Sequence, residues 1–181
     1  VAVDRTSEHR RAYDLRGVVD ELLQTLNPTL KRVPWQVVGQ VPTGIAMDSY
    51  PGPLGQVLTN LINNAVLHGF EPGEEGKIEV QAWAKDSQHV VIEVRDSGHG
   101  IQSEDLHRVF DPFFTTRLGQ GGSGLGLHIV HNLVGSVLGG RIEVQSRPEA
   151  GATFTISVIK LAEGVDDGGP TMDRLTAKFR D

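Results

Sequence analysis

The sequence predicts a two-layer α/β sandwich in which a mixed, mostly antiparallel sheet is covered on one face by about three helices. Three stretches show the spacing of an amphipathic helix, and paired runs show the alternation of half-buried strands. Each predicted helix carries one apolar face, which is typical of helices that pack on a sheet. With 181 residues, 38% of them hydrophobic, the chain is long enough to bury one substantial core.

The first half of the chain is predicted to contain two helices and short strands. Apolar residues at intervals of three and four predict a helix over residues 15–30. Residues 35–41 have strand character, and turn chemistry at 42–44 precedes a short extended piece near 45–47. The second helix is predicted to begin near Pro53, because proline suits the first helical turn. Its apolar face consists of Leu54, Val57, Leu58, Leu61, Ile62, Ala65 and Val66.

The second half supplies the remaining strands and a third helix. Residues 77–84 alternate as a half-buried strand, and residues 89–95 are predicted to pair with it as a hairpin. A third helical face follows a glycine-rich segment, over residues 125–138. Two closing strands are predicted at 141–146 and 152–159, and they complete the sheet.

These elements define one predicted domain, residues 15–161. Residues 1–14 show no helical periodicity. Residues 162–181 have the composition of a flexible tail, within which residues 172–179 are compatible with a short docking helix.

Composition excludes several function classes. The net charge is −6 with a pI of about 5.6, and the basic residues are scattered, whereas a nucleic-acid surface requires clustered lysines and arginines. The absence of cysteine excludes disulfides and thiolate metal sites. The sequence contains neither a signal peptide nor an apolar run of membrane-spanning length, so a cytoplasmic location is expected.

The second helix carries a polar stripe in addition to its apolar face. Gln56, Asn60, Asn64 and His68 are four residues apart and therefore share one side of the helix. Asparagine is unfavourable inside helices because its amide competes for backbone hydrogen bonds. An amide oxygen is a suitable Mg²⁺ ligand when phosphates supply the negative charge. Asn64 is therefore a candidate metal ligand, and the alternative is a set of incidental polar residues.

A first glycine motif follows the predicted hairpin. Asp96 ends the strand, and Gly98 and Gly100 permit a sharp turn and a close approach of the backbone to a planar ligand. The Asp96 carboxylate is able to accept a hydrogen bond from an adenine amino group. Taken alone, the motif is equally compatible with a hairpin turn.

A second glycine-rich segment, residues 119–126, opens directly into the third helix. Free backbone N–H groups and the positive end of the helix dipole suit a triphosphate at this point. Gly119, Gly121 and Gly124 formally satisfy a dinucleotide fingerprint with Glu143 as its acid, but the required βαβ unit and the preceding buried strand are missing. No Gly-Lys-Ser or Gly-Lys-Thr is present, so a P-loop is excluded.

In this order, the motifs resemble those of the catalytic, ATP-binding domain of sensor histidine kinases, members of the GHKL ATPase superfamily with the Bergerat fold. The resemblance covers residues 15–161. The matching segments are an asparagine box at 56–65, a first glycine box at 96–101, a phenylalanine box at 110–114, a second glycine box at 122–127 and a closing strand at 151–154.

The resemblance implies that ATP and Mg²⁺ are the cofactors. It implies that Asp96 fixes the adenine and that Asn64 holds the metal, with Asn60 and His68 near the phosphates and Thr153 assisting Asp96. Phe113 and Arg117 have plainer alternatives, a core aromatic and a surface arginine. Including these two, the further nucleotide-binding residues implied are Gly98, Gly100, Ile101, Phe113, Arg117, Gly122, Ser123, Gly124, Leu125 and Gly126.

Asn60 also bears on the reaction. In the gyrase-like relatives a glutamate that activates water stands four residues before the metal-binding asparagine, and this chain has Asn60 there. An amide cannot serve as a general base, which disfavours hydrolysis and favours transfer to a positioned nucleophile. By resemblance that nucleophile is a histidine in a dimeric helical hairpin. None of the seven histidines here is followed by an acid, as the family's phosphoacceptor normally is.

The expected function is therefore transfer of the ATP γ-phosphoryl group to a histidine on an upstream dimerisation domain. Residues 1–14 are interpreted as the end of that domain or its linker. A cognate response regulator is the second expected partner, in a full-length protein that is a homodimer and that reaches the membrane only through other segments. The isolated chain is expected to be monomeric. A GHKL serine kinase of the anti-sigma type and a non-catalytic, ATP-gated interaction module stay open as alternatives.

Overall fold

The computed structural model describes residues 9–31, 34–71, 73–117 and 122–161, which contain seven strands and three helices. Among these residues, no helix combines the length and the hydropathy that crossing a bilayer requires. In chain order the elements are β1 (Arg11–Asp14), α1 (Leu15–Leu30), β2 (Trp35–Gln40), β3 (Ala46–Ser49), α2 (Pro51–His68), β4 (Gly76–Ala84), β5 (His89–Asp96), α3 (Gly126–Ser136), β6 (Arg141–Ser146) and β7 (Ala152–Ile159).

Five of the strands form one sheet in the order β2-β4-β5-β7-β6. The β2–β4 pair is parallel, and the β4–β5, β5–β7 and β6–β7 pairs are antiparallel. The predicted mixed, mostly antiparallel sheet is therefore confirmed. Consecutive β5 residues point to opposite faces, so Asp96, at its end, follows the alternation that buries Val94 and Ile92.

The core lies between this sheet and the helices. Along β7 the buried side chains are Ala152, Phe154, Ile156 and Val158, and the residues between them are only partly buried. The apolar face of α2 packs on the same layer, with Leu54, Leu58 and Leu61 fully buried. Burying each such side chain contributes about 1.5–3 kcal/mol, so α2 is held firmly with its polar stripe directed away from the sheet.

A second, two-stranded sheet extends the domain at its N-terminal side. Strand β1 pairs antiparallel with β3, from Arg11 opposite Ser49 to Asp14 opposite Ala46. Asp14 also caps α1, because its carboxylate accepts the backbone N–H of Arg16 at 3.0 Å. The predicted boundary after residue 14 thus falls inside the folded unit. The side chains of β1 are mostly exposed, so this strand leaves no hydrophobic pattern in the sequence.

The connection between β5 and α3 carries much of the predicted site. Residues 103–110 form successive turns, with backbone hydrogen bonds from Asp105 to Gln102 at 2.9 Å and from Arg108 to Asp105 at 2.8 Å. Residues 118–121, which include the start of the glycine-rich segment predicted at 119–126, lie outside the described residues. The predicted tail, 162–181, with its docking segment, 172–179, lies outside them as well.

Candidate nucleotide-binding site

Two adjoining cavities lie along the polar stripe of α2. Their volumes are about 130 and 200 Å³, each smaller than the roughly 300–1,000 Å³ of a typical small-molecule site. The cavities share four lining residues, Asn64, His68, Phe114 and Leu127. They therefore form one cleft between α2, the turns after β5 and the start of α3.

Asn60 and Asn64 both face this cleft. Asn64 lines both cavities, and Asn60 lines the second. The Asn60 side-chain Nδ2 donates to the backbone carbonyl of Gly126 at 3.3 Å, which fastens α2 to the first residue of α3. This hydrogen bond fixes the orientation of the amide, so Oδ1 is the atom that Asn60 offers to a ligand.

The donor chemistry of the two asparagines fits the magnesium ion that the family implies. Mg²⁺ is held by few protein oxygens together with substrate phosphates and water, and amide oxygens on one helical face meet that need. In the described part of the chain, no three histidine or acidic side chains converge as an alternative metal cluster. The amide oxygen of Asn64 would be the protein ligand, and the bound ion would neutralise phosphate charge.

His68 stands at the end of the same stripe. Its Nδ1 lies 3.1 Å from the hydroxyl of Thr116, so α2 contacts the segment that follows the phenylalanine box. Burial, and secondarily the positive charge of Arg117, lower the pKa of His68. Because its ordinary value is about 6.5, the imidazole is neutral at pH 7. His68 therefore offers a ligand a hydrogen-bonding group and no positive charge.

Arg117 crosses from the same segment to the loop after α2. Its Nη2 lies 2.7 Å from Glu71 Oε1 and donates to the carbonyl of Phe70 at 3.4 Å. The arginine side chain is 19% exposed, whereas that of Glu71 is 58% exposed. The structure therefore places Arg117 at the margin of the cleft, beside His68, with its guanidinium turned towards Glu71.

Asp96 is one of two buried polar or charged residues recorded among the described residues. Its Oδ1 accepts the backbone N–H of Gly98 at 2.9 Å and that of Ala152 at 3.3 Å. Burial is the largest effect and raises the pKa of this carboxyl group, although both backbone hydrogen bonds oppose the shift. Asp96 lines a separate depression with Lys77 and Glu79, while Gly100 and Ile101 line the cleft.

The loop after Asp96 packs closely against backbone atoms on both sides. A β-carbon on Gly98 would overlap the carbonyl of Gly69 at the end of α2, and one on Gly100 would overlap the carbonyl of Arg147. Gly100 also has a φ of 73°, which favours glycine. The backbone N–H of Ile101 donates to Ser146 Oγ at 2.8 Å. Glycine is required here because the loop is wedged between α2 and the β6–β7 turn.

The phenylalanine box and the second glycine box are joined at Phe113. This residue has a φ of 66° and is 73% exposed, and its N–H donates to the carbonyl of Gly124 at 2.8 Å. A left-handed conformation is unusual for a bulky residue. The turn directs Phe113 outwards and brings Phe114 into the cleft, where it lines both cavities.

The structure thus brings together most, but not all, of the predicted site. The predicted residues that do not line the cleft are Asp96, Gly98, Phe113, Arg117, Leu125 and Thr153. Thr153 follows the alternation of β7 to the face opposite Ala152 and lines a groove with Arg95, so its assignment as a support for Asp96 is corrected: Ala152 supplies that support through its backbone N–H. The predicted residues that do line the cleft are Asn60, Asn64, His68, Gly100, Ile101, Gly122, Ser123, Gly124 and Gly126.

Several lining residues were missed from sequence. Most belong to the segment after β5 and to the first turn of α3, where neither periodicity nor glycine marks a site, and two lie on α2. The one available signal was the aromatic pair at 113 and 114. The missed residues are Asn63, Leu67, Gln102, Asp105, Val109, Phe114, Thr115, Thr116 and Leu127.

The polar stripe of α2 faces the glycine-rich segment at the start of α3, on one side of an open α/β sandwich. This arrangement defines a nucleotide-binding domain without a P-loop. Over residues 50–163 the chain matches the family of histidine kinase-, DNA gyrase B- and HSP90-like ATPases. The chain belongs to this family of ATP-binding domains.

The individual relatives that the chain resembles include histidine kinases. It is 38% identical over 146 residues to the sensor histidine kinase ZraS of Salmonella typhimurium, a match that covers 81% of this chain and 27% of ZraS. The catalytic domain of the histidine kinase ThkA superposes with a TM-score of 0.73 at 25% identity, covering 84% of this chain and 97% of that one. ThkA in complex with the response regulator TrrA gives a TM-score of 0.70 at 25% identity, covering 83% and 42%. The chain thus spans about a quarter of ZraS.

Proposed function

We propose that this chain binds Mg·ATP in the cleft beside α2 and supplies the γ-phosphoryl group to a histidine on a separate dimerisation domain. The observation that carries the proposal is the placement of Asn60 and Asn64 opposite the glycine-rich start of α3. This arrangement combines oxygen ligands for a metal with the positive end of a helix dipole, the two features that a triphosphate needs.

The chemistry of the stripe favours transfer over hydrolysis. Asn60 occupies the position at which hydrolysing relatives carry a glutamate base, and its Nδ2 is already committed to the Gly126 carbonyl. His68 is neutral because burial lowers its pKa, but its Nδ1 is engaged with Thr116. The residues around the cleft therefore position and neutralise the phosphates, and the nucleophile comes from another domain.

The site is proposed to order the nucleotide along the cleft. Asp96 accepts a hydrogen bond from the adenine amino group, and Ile101 and Phe114 pack on the adenine ring. The second glycine box binds the phosphates. In this structure Asp96 is buried and lines a separate depression, and its loop packs on the end of α2 at Gly98 and Gly69. Adenine binding therefore includes a small displacement of that loop from the end of α2.

The partners follow from the same proposal. The phosphate acceptor is a histidine-bearing dimerisation domain, and a response regulator receives the group next, as the structure of ThkA with TrrA suggests for this chain's relatives. A homodimeric, full-length kinase with this domain in the cytoplasm is the proposed context. The isolated chain is proposed to be monomeric and to show little kinase activity alone.

Calorimetric titration with Mg·ATP tests the proposal, using the wild type, Asp96→Asn and GTP as a base control. We expect the wild type to prefer ATP over GTP. Asp96→Asn should lose about tenfold in affinity, because a charge-assisted hydrogen bond of about 1.5 kcal/mol is replaced by a mismatched one. Transfer of labelled phosphate to an added histidine hairpin then separates a histidine kinase from a serine kinase. A folded wild type that binds no ATP would contradict the proposal.

A further inference from the structure

The loop between α2 and β4 carries a carboxylate that pairs with an arginine at the margin of the nucleotide site. Among the described residues, neither cavity of the cleft is lined by a lysine or an arginine. Two arginines lie beside it: Arg108 stacks on Phe114, with its guanidinium 4.6 Å from the ring centroid, and Arg117 follows Thr116, which contacts the lining residue His68. The charge of Arg117 is also felt at His68, whose pKa it helps to lower.

Arg117 is held against the loop after α2 by two contacts. The closer is the ion pair with Glu71, 2.7 Å between Nη2 and Oε1, and the weaker is the hydrogen bond to the Phe70 carbonyl at 3.4 Å. The arginine is largely buried, whereas Glu71 is mostly exposed. A largely exposed partner contributes little to stability, but it fixes the direction in which the guanidinium points.

The position of Glu71 is itself organised. Its backbone N–H donates to Glu74 Oε2 at 2.9 Å, and the N–H of Glu74 donates back to the Glu71 carbonyl at 3.1 Å. The indole of Trp35 donates to the carbonyl of Glu74 at 2.7 Å. The loop is therefore a built turn, and it presents Glu71 to Arg117 with its backbone already fixed.

We propose that Glu71 is a positioning residue that lowers the affinity of the site for phosphate-bearing nucleotides, because the Arg117 guanidinium must leave its carboxylate to reach the triphosphate. This inference rests on the proposed nucleotide site. It assigns Arg117 two alternative partners, Glu71 in the free protein and the phosphate chain in the complex. Both are anions that suit the planar donor array of arginine.

The test is calorimetry with Mg·ATP and with adenosine, which lacks phosphates, on Glu71→Gln and on a matched control, Glu75→Gln. Glu75 lies in the same loop, is exposed and carries the same charge, but no ion pair to it is recorded among the described residues. We expect Glu71→Gln to bind ATP about two- to fivefold more tightly, the size set by an exposed ion pair. Adenosine affinity should not change, and Glu75→Gln should bind ATP like the wild type.

Measuring Glu71→Gln in the Arg117→Ala variant tests whether Glu71 acts through Arg117. There, Glu71→Gln should have no further effect on ATP affinity, since the two residues act through one contact. Weaker or unchanged ATP binding by Glu71→Gln, an equal effect of Glu75→Gln, or a parallel shift for adenosine overturns the inference. Absence of ATP binding by the wild type overturns the proposed function too, whereas normal wild-type binding with an unresponsive Glu71→Gln overturns this inference alone.

Discussion

Replacing Gly98 by alanine should damage both the fold and the nucleotide site. An added β-carbon would overlap the Gly69 carbonyl and lie 2.7 Å from the Gly69 Cα, whereas ordinary contact begins at 3.4 Å. Both neighbours are backbone atoms, so no side chain can rotate away. The loop must move off the end of α2, which breaks the hydrogen bond from the N–H of His99 to the Gly69 carbonyl, now 2.8 Å.

The expected cost follows from these two effects. Overpacking of a well-packed site costs about 1–3 kcal/mol, and a lost hydrogen bond costs about 0.5–1.5 kcal/mol. The free energy of unfolding of Gly98→Ala should therefore fall by about 2–4 kcal/mol, measured by urea denaturation monitored by circular dichroism. ATP affinity should fall as well, because the Gly98 N–H holds Asp96 Oδ1 at 2.9 Å.

Gly135→Ala is the matched control for Gly98→Ala. Gly135 lies in α3 with nothing within 4 Å of an added β-carbon, so alanine should stabilise the helix by about 0.5–1 kcal/mol. Opposite signs for the two substitutions would support the close approach of the first glycine box to α2. A Gly98→Ala protein with wild-type stability and wild-type ATP affinity would refute it.

Two further predictions concern the polar stripe of α2. Because the pKa of His68 is lowered on folding, its contribution to stability is complete above about pH 6.5 and is lost as the pH falls through the lower folded value. The melting temperature of His68→Asn should therefore decline less on acidification than that of the wild type. An unchanged pH profile would contradict the lowered pKa. Asn64→Ala should weaken Mg²⁺-dependent ATP binding about tenfold and leave adenosine binding intact, whereas an equal loss for both ligands would remove the metal role from Asn64.

Sequence reasoning worked best where a residue's role depends on periodicity. The stripe of Asn60, Asn64 and His68 follows from helical spacing alone, and the structure places all three along the cleft. The strands of the main sheet follow from alternation, because one face of the sheet is buried and the other is not. Strand β1 was missed because its register depends on β3, more than thirty residues away.

Sequence reasoning failed where a backbone dihedral decides the direction of a side chain. Phe113 and Phe114 are chemically identical neighbours, and only the left-handed turn at Phe113 determines which one enters the cleft. Thr153 failed for a related reason: a strand alternates its side chains, so the residue beside Asp96 is Ala152, and its contact is made by the backbone. Neither dihedrals nor backbone donors can be read from residue type.

The loop between α2 and β4 connects the two ends of the proposed nucleotide site. At one end Glu71 pairs with Arg117, and at the other Glu74 Oε2 lies 3.1 Å from His99 Nε2 in the first glycine box. The two His99 and Glu74 atoms are close enough for an ion pair but are not aligned for a hydrogen bond, since His99 Nε2 has no hydrogen-bond partner. This contact therefore restrains the loop less than the Glu71–Arg117 pair does. Displacement of the Asp96 loop by adenine and release of Arg117 to the phosphates both act on this one turn. The two changes involve different side chains of that turn, Glu74 and Glu71, so removing the Glu71 carboxylate is expected to act on the phosphate end and to leave adenosine binding unchanged.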